Sequence, residues 1–248
     1  MRKILATLAC WLGAAMAAGA AEVSVAVAAN FTVPMQKIAA RFAADTGHQA
    51  VLAFGSTGRF HAQVKNGAPF QVLLAADDET PGKLADEHLA VRGTEFVYAV
   101  GRLVLWSTRA GPPLDAEALR RPGRDDRLAI ADPRVAPYGR AAEETLARLG
   151  VLAAWRPRLV TGESIAQAHQ FVASGNVPLG FVALSQVMVD GRIAQGSAWI
   201  VPQELHAPIR QQAILLARGR DNPAAQALLQ YLRGDVARAI IRAHGYMP

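Results

Sequence analysis

The chain has 248 residues, of which 52% are hydrophobic, 19% charged and only 6% aromatic. That apolar share excludes a disordered chain and is enough for one large domain or two lobes of roughly 100 residues each. The formal charge of +6 comes mostly from scattered arginines, which argues against a nucleic-acid partner. The densest group is Arg120, Arg121, Arg124 and Arg127; interleaved with Pro122, Gly123, Asp125 and Asp126, it reads as a solvated loop.

Residues 1–20 read as a signal peptide. Arg2 and Lys3 precede an apolar stretch, Ile4 to Ala18, that is too short and too alanine-rich to span a membrane, and Ala18-Gly19-Ala20 offers the small-x-small pattern of a cleavage site. Cleavage after Ala20 leaves 24 basic against 20 acidic residues, a charge of +4. Cys10, the single cysteine, lies inside this segment, and Thr7 stands where a lipidated cysteine wants an aliphatic residue. The expected mature protein is therefore soluble and periplasmic, with no disulfide and no thiolate chemistry.

The mature chain opens with a short strand, Val23 to Val27, a turn at Ala28-Ala29-Asn30, and a helix with Met35, Ile38 and Phe42 on one face, stopped at Thr46-Gly47. A second strand (Ala50 to Phe54) leads through Gly55-Ser56-Thr57-Gly58 into a helix reaching Asn66-Gly67. A third (Val72 to Ala75) leads through Asp77-Asp78 into another. Strand, polar turn and helix, three times over, predict an α/β domain with a largely parallel sheet. The long extended run Phe96 to Thr108 is what a crossing between lobes would look like. A second series follows: a strand at Leu128 to Ala131, a loop through Tyr138-Gly139, a helix from Arg140 to Leu149, a strand at Leu159-Val160, a helix capped near Ser164 and running to Ala173, and a strand at Leu179 to Leu184. A long strand from Ile209 to Ala217 then returns, and two helices (223–233 and 235–243) finish the chain. The expected division is 21–100 plus 215–248 for one lobe and 101–214 for the other, joined by two extended strands. One continuous sheet with a long excursion is the other reading of the pattern.

In such sheets ligands collect beyond the carboxyl ends of the strands, where helix N-termini present unpaired N–H groups and the positive end of the helix dipole. The turns there carry Asn30, Ser56, Thr57, Tyr138, Ser164 and Ile165. Each of the Asn, Ser and Thr residues, taken singly, is an ordinary helix cap. Together they form a set of neutral donors. Such donors suit a bare dianion, because an acceptor-only ion satisfies all of them whereas a protonated one aims a hydrogen at another hydrogen.

Val27-Ala28-Ala29-Asn30-Phe31, Phe54-Gly55-Ser56-Thr57-Gly58, Asn66-Gly67-Ala68-Pro69-Phe70, Leu74-Ala75-Ala76-Asp77, Ala131-Asp132-Pro133, Ala136-Pro137-Tyr138-Gly139, Leu179-Gly180-Phe181-Val182-Ala183 and His244-Gly245-Tyr246 occur in order along the mature chain. This set resembles the periplasmic molybdate-binding proteins of ABC transporters. The resemblance implies the type II periplasmic binding protein fold, two Rossmann-like lobes with a two-strand hinge. It also implies capture of molybdate or tungstate, no cofactor, a membrane permease as partner, and a monomer. Carried over by position, it implies that Asn30, Thr57 with its neighbour Ser56, and the backbone N–H of Ile165 hold the oxyanion. Many members have a ligand tyrosine where this chain has Ala183; Tyr138, on the opposite loop, is expected to supply that hydroxyl instead.

Two other classes compete. A secreted hydrolase of phospho- or sulfo-esters would need a base, and only His61 and His169 fall near the expected cleft; the six histidines show no metal spacing. Asp77-Asp78-Glu79 reads as an acidic first turn that stabilises a helix. A carrier of another oxyanion or an organic anion would use a positive side chain such as Arg59. An iron carrier would want clustered tyrosines, and the four here are dispersed.

Overall fold

The computed structural model describes residues 20–247 apart from 121, 124, 125 and 190. The expected signal peptide with Cys10, and Arg121 and Arg124 of the basic loop, lie outside the described residues.

In the first half of the chain, β1 (Glu22–Ala28) runs into a single 3-10 turn (Ala29–Phe31) and α1 (Thr32–Thr46). Then follow β2 (Gln49–Gly55), α2 (Thr57–Lys65), β3 (Val72–Leu74), α3 (Glu79–Asp86) and β4 (Phe96–Gly101). The second half holds β5 (Leu103–Ser107), α4 (Glu117–Arg120), β6 (Leu128–Ala131), α5 (Pro137–Arg148), α6 (Leu152–Trp155), β7 (Leu159–Gly162), α7 (Ile165–Ala173), β8 (Leu179–Ala183) and α8 (Leu184–Val187). A small hairpin, β9 (Met188–Val189) with β10 (Arg192–Ile193), precedes β11 (Ser197–Ile200). The chain ends with β12 (Ile209–Leu215), α9 (Pro223–Leu232) and α10 (Asp235–Ala243).

These strands form two five-stranded sheets, ordered β2-β1-β3-β12-β4 and β11-β5-β8-β6-β7. One continuous sheet is thus excluded. The extended run from Phe96 is divided at Arg102: β4 pairs in the first sheet and β5 in the second. The return crossing comes earlier than the expected boundary at 214/215, because all of β12 pairs with β3 and β4. The reason lies between Ile200 and Ile209, where Pro202 and Pro208 remove ladder donors and end β11 before the chain re-enters the first sheet.

Each sheet has its own apolar packing. Val25, Val27, Phe31, Met35, Ile38 and Phe42 join Leu228 and Ile241 of the terminal helices around the first sheet. Leu103, Leu105, Ile130, Leu146, Trp155 and Phe181 pack in the second. Ala28, Ala29 and Ala76 of the first half belong to the same buried cluster as Ala136, Tyr138 and Ile165 of the second, so the two halves close on each other.

Parallel pairing aligns the strand ends. Ala28 pairs with Gly55 and Val27 with Leu74, which brings the turns after β1, β2 and β3 to one edge. Ala131 pairs with Gly162 in the second sheet, doing the same for the turns after β6 and β7. The two edges face each other.

Helix α5 starts three residues before the expected position. Pro137 stands in its first turn, where a missing N–H costs nothing, so Tyr138 and Gly139 are helical rather than part of a loop. Gly139 lets this turn lie against the end of β6: a Cβ there would stand 2.3 Å from the Ala131 carbonyl oxygen and 2.9 Å from the Asp132 carbonyl carbon. Gly139→Ala is expected to destabilise the protein by about 1–3 kcal/mol despite the helix preference of alanine. Urea unfolding measures it, and an unchanged midpoint would mean that this helix start is free to shift.

Candidate functional site

The starts of α2, α5 and α7 and the turn after β1 enclose one cavity between the sheets. Asn30, Ser56, Thr57, Tyr138 and Ile165 all line it, together with small or apolar neighbours, and no charged residue does. The cavity is small, with room for about one water molecule. With the halves closed, that is too small for a sugar, nucleotide or peptide. A larger open groove of ≈ 490 Å³ adjoins it at Asn30, but Glu163 forms part of its wall, which makes it the poorer place for an anion.

The five residues offer different hydrogens. Thr57 and Ile165 are the first residues of α2 and α7, and Tyr138 is the second of α5. Amides in a helix's first turn have no partner within the helix. The Thr57 hydroxyl accepts from the Ala76 amide at 2.9 Å, which leaves its own hydrogen to give. Ser56 immediately precedes α2 without capping it; its Oγ is buried and has no hydrogen-bond partner among the described residues. Ser164, at the equivalent place before α7, behaves as an ordinary cap and accepts from the Gln167 amide at 3.3 Å. An unpartnered buried hydroxyl costs about 1–3 kcal/mol, so Ser56 is the residue whose position asks for a ligand.

Asn30 departs from expectation. Both of its side-chain amide hydrogens are spent inside the protein, on Gln211 Oε1 at 2.8 Å and Tyr246 Oη at 2.9 Å. Its side chain has no hydrogen left to give to the cavity. The Tyr138 hydroxyl accepts from Gln211 Nε2 at 3.3 Å. Gln211, Tyr98, Tyr246 and Ser185 thus form a buried polar group behind the cavity that sequence reasoning missed. The signal for it was Gln211-Gln212, next to Arg210, in a strand whose remaining residues are apolar.

The charged groups nearby are occupied across the rim. Arg59 pairs with Glu163 at 2.7 Å and Arg140 with Asp77 at 3.3 Å, each pair spanning the two halves. Arg59 is about half exposed and lies outside the cavity lining. Asp77 also accepts from the Thr80 amide at 2.9 Å, and Asp78 pairs with Arg210 at 3.2 Å, so this acidic turn caps and pairs. His61 sits beside Glu87, and His169 stacks on Trp106 with ring centres 5.1 Å apart. Burial lowers the pKa of His169, but neither histidine lines the cavity.

The chain matches the family of bacterial extracellular solute-binding proteins over residues 23–247. It belongs to that family. It is 56% identical over 232 residues to the molybdate-binding protein ModA of Azotobacter vinelandii, covering 94% of this chain and 92% of that protein. It is 47% identical over 247 residues to the ModA of Rhodobacter capsulatus, covering 100% and 96%. A solved periplasmic molybdate-binding protein from Azotobacter vinelandii superposes with a TM-score of 0.87 at 37% identity, over 91% of this chain and 99% of that one. The likeness extends through both sheets, so the fold is that of the periplasmic binding proteins.

Burial raises the pKa of Tyr98, Tyr138 and Tyr246 well above that of free tyrosine, with the neighbouring phenols adding to the shift for the first two. A raised folded-state value means a contribution to stability that is complete below about pH 10 and lost as pH climbs past it. In an alkaline titration followed by ultraviolet absorbance, these three phenols are expected to stay neutral until the protein unfolds. Ionisation of all four tyrosines in the native state would contradict this packing.

Proposed function

We propose that this protein captures molybdate, with tungstate as a second fitting ion, in the periplasm and delivers it to the permease of an ABC transporter. Asn30, Ser56, Thr57, Tyr138 and Ile165 form the binding set: backbone N–H groups from all but Ser56 and hydroxyls from Ser56, Thr57 and Tyr138. The protein acts as a monomer, is exported through residues 1–20, and is a carrier rather than an enzyme.

The observation that carries this reading is the partnerless buried hydroxyl of Ser56 beside three helix N-termini in a cavity without a charged side chain. Each helix end contributes roughly +0.5 of an elementary charge. Three of them supply about +1.5 and offset most of a dianion's charge while leaving no formal ion pair to break on release. The high identity to two molybdate-binding proteins supports the choice of ion. The organic-anion reading needs Arg59 free, and Arg59 is held by Glu163.

A thermal-shift series with molybdate, tungstate, sulfate, phosphate and chromate tests the function. Molybdate at about 100 times its Kd is expected to add ~2.7 kcal/mol of stability; no shift with any ion would refute it. Ser56→Ala separates the site from the fold by moving two quantities in opposite directions. Removing the buried hydroxyl leaves the ligand-free protein as stable as before or more so, while the affinity for molybdate falls by about 1.5–3 kcal/mol. Lower ligand-free stability with unchanged affinity would make Ser56 a structural residue.

A further inference from the structure

Gln211 is completely buried in the middle of β12, at a register shift in its pairing with β4. Ile209, Ala213, Ile214 and Leu215 around it are apolar and buried. A carboxamide in such a place is tolerated only when its donor and acceptor ends are both matched. Its Oε1 receives hydrogens from Asn30 Nδ2 at 2.8 Å and Tyr98 Oη at 2.9 Å, and its Nε2 donates to Tyr138 Oη at 3.3 Å. Asn30 comes from the turn of the first sheet and Tyr138 from α5 of the second. One side chain therefore touches a cavity residue from each half.

The orientation of this amide is fixed by its surroundings. Turning Gln211 over would set its hydrogens against those of Asn30, which are held on the other side by Tyr246 Oη at 2.9 Å. The contact between Gln211 and Tyr138 also has a space made for it. A Cβ on Gly101, the last residue of β4 before the crossing, would stand 2.2 Å from Tyr138 Oη and 2.7 Å from Gln211 Nε2.

The geometry points to Gln211 as a positioning residue for anion capture, a role that rests on the oxyanion reading above. It does not touch the ion. It holds Asn30 and Tyr138 in one arrangement across the two halves and fills the Tyr138 oxygen with a donated hydrogen. The phenol must then send its own hydrogen elsewhere. A doubly negative oxygen in the cavity takes it in preference to a neutral acceptor. A glutamine does this where a leucine or a carboxylate would not, because only the amide accepts at one end and donates at the other.

A double-mutant cycle with molybdate as the probe, read by titration calorimetry, tests the assignment. Gln211→Met is expected to weaken binding about tenfold in the native background and only about threefold in the Tyr138→Phe background, where its hold on Asn30 alone remains to be lost. Equal losses in both backgrounds, or none in either, would overturn it. Gln211→Glu keeps the shape and serves if the first variant folds poorly. Its protonated form can still donate to Tyr138, whereas its ionised form cannot and adds a negative charge. Binding by this variant is therefore expected to weaken as pH rises from about 5.5 to 8, where the native protein stays level. Parallel profiles for the two proteins would overturn the assignment. Failure of the native protein to bind molybdate would remove the oxyanion reading and this role together, whereas native binding with additive losses removes this role alone.

Discussion

A dianion held without a counter-charge needs hydrogens that cannot turn away from it. Helix first turns supply them, because their amides are fixed by the backbone and have no partner of their own. Three such turns and a fourth, single 3-10 turn meet at one cavity here. Everything else in the molecule can be understood as bringing those four turns together. Parallel pairing puts the strand ends of each sheet at one edge, and the two crossings at Arg102 and at 201–208 set the edges opposite one another. Small residues at the contact let the two halves close. A Cβ on Gly58 would meet the backbone of Val135 at 2.9 Å, and Gly58 donates its N–H to the Val135 carbonyl at 2.9 Å across the gap.

The same constraint explains where the charges are. Arg59 and Glu163, and Arg140 and Asp77, pair across the rim, where both arginines are partly exposed. Exposed pairs contribute roughly 0–1 kcal/mol each, too little to hold two lobes shut alone but enough to bias closure once an ion has joined the inner donors. An arginine inside the cavity would have bound any anion strongly and measured neither its size nor its protonation state. Neutral donors bind less strongly apiece but penalise a protonated ion, since its hydrogen would face another hydrogen.

Much of this was legible in the sequence. The repeat of strand, polar turn and helix predicted both α/β series, and all five candidate residues line one cavity. Less legible was what each residue would do. Tyr138 was placed in a loop, whereas Pro137 opens α5 and makes Tyr138 its second residue. Ser56 and Ser164 look alike in sequence, each before a helix, yet one caps and the other is left unpaired; only the packing of α2 decides that. Asn30 looked like a side-chain donor, and its amide is spent on partners 181 and 216 residues away. Local pattern carries no information about such distant pairings. The boundary near residue 214 failed for a similar reason, since a strand's length is local but its choice of sheet is not.

The buried group behind the cavity joins these points. Its members from the first half are Asn30, Tyr98, Gln211 and Tyr246; the second half contributes Tyr138 and Ser185, whose hydroxyl donates to the Asn30 carbonyl at 2.8 Å. Opening the halves would break the bonds of Tyr138 and Ser185 and leave buried phenol and amide groups to find water. Closing restores them around the residues that line the cavity. Hydrogen bonding within the protein is therefore satisfied by the same closed arrangement that forms the cavity. A site can then use hydrogens alone, because the cost of ordering them is shared with contacts the closed protein already makes.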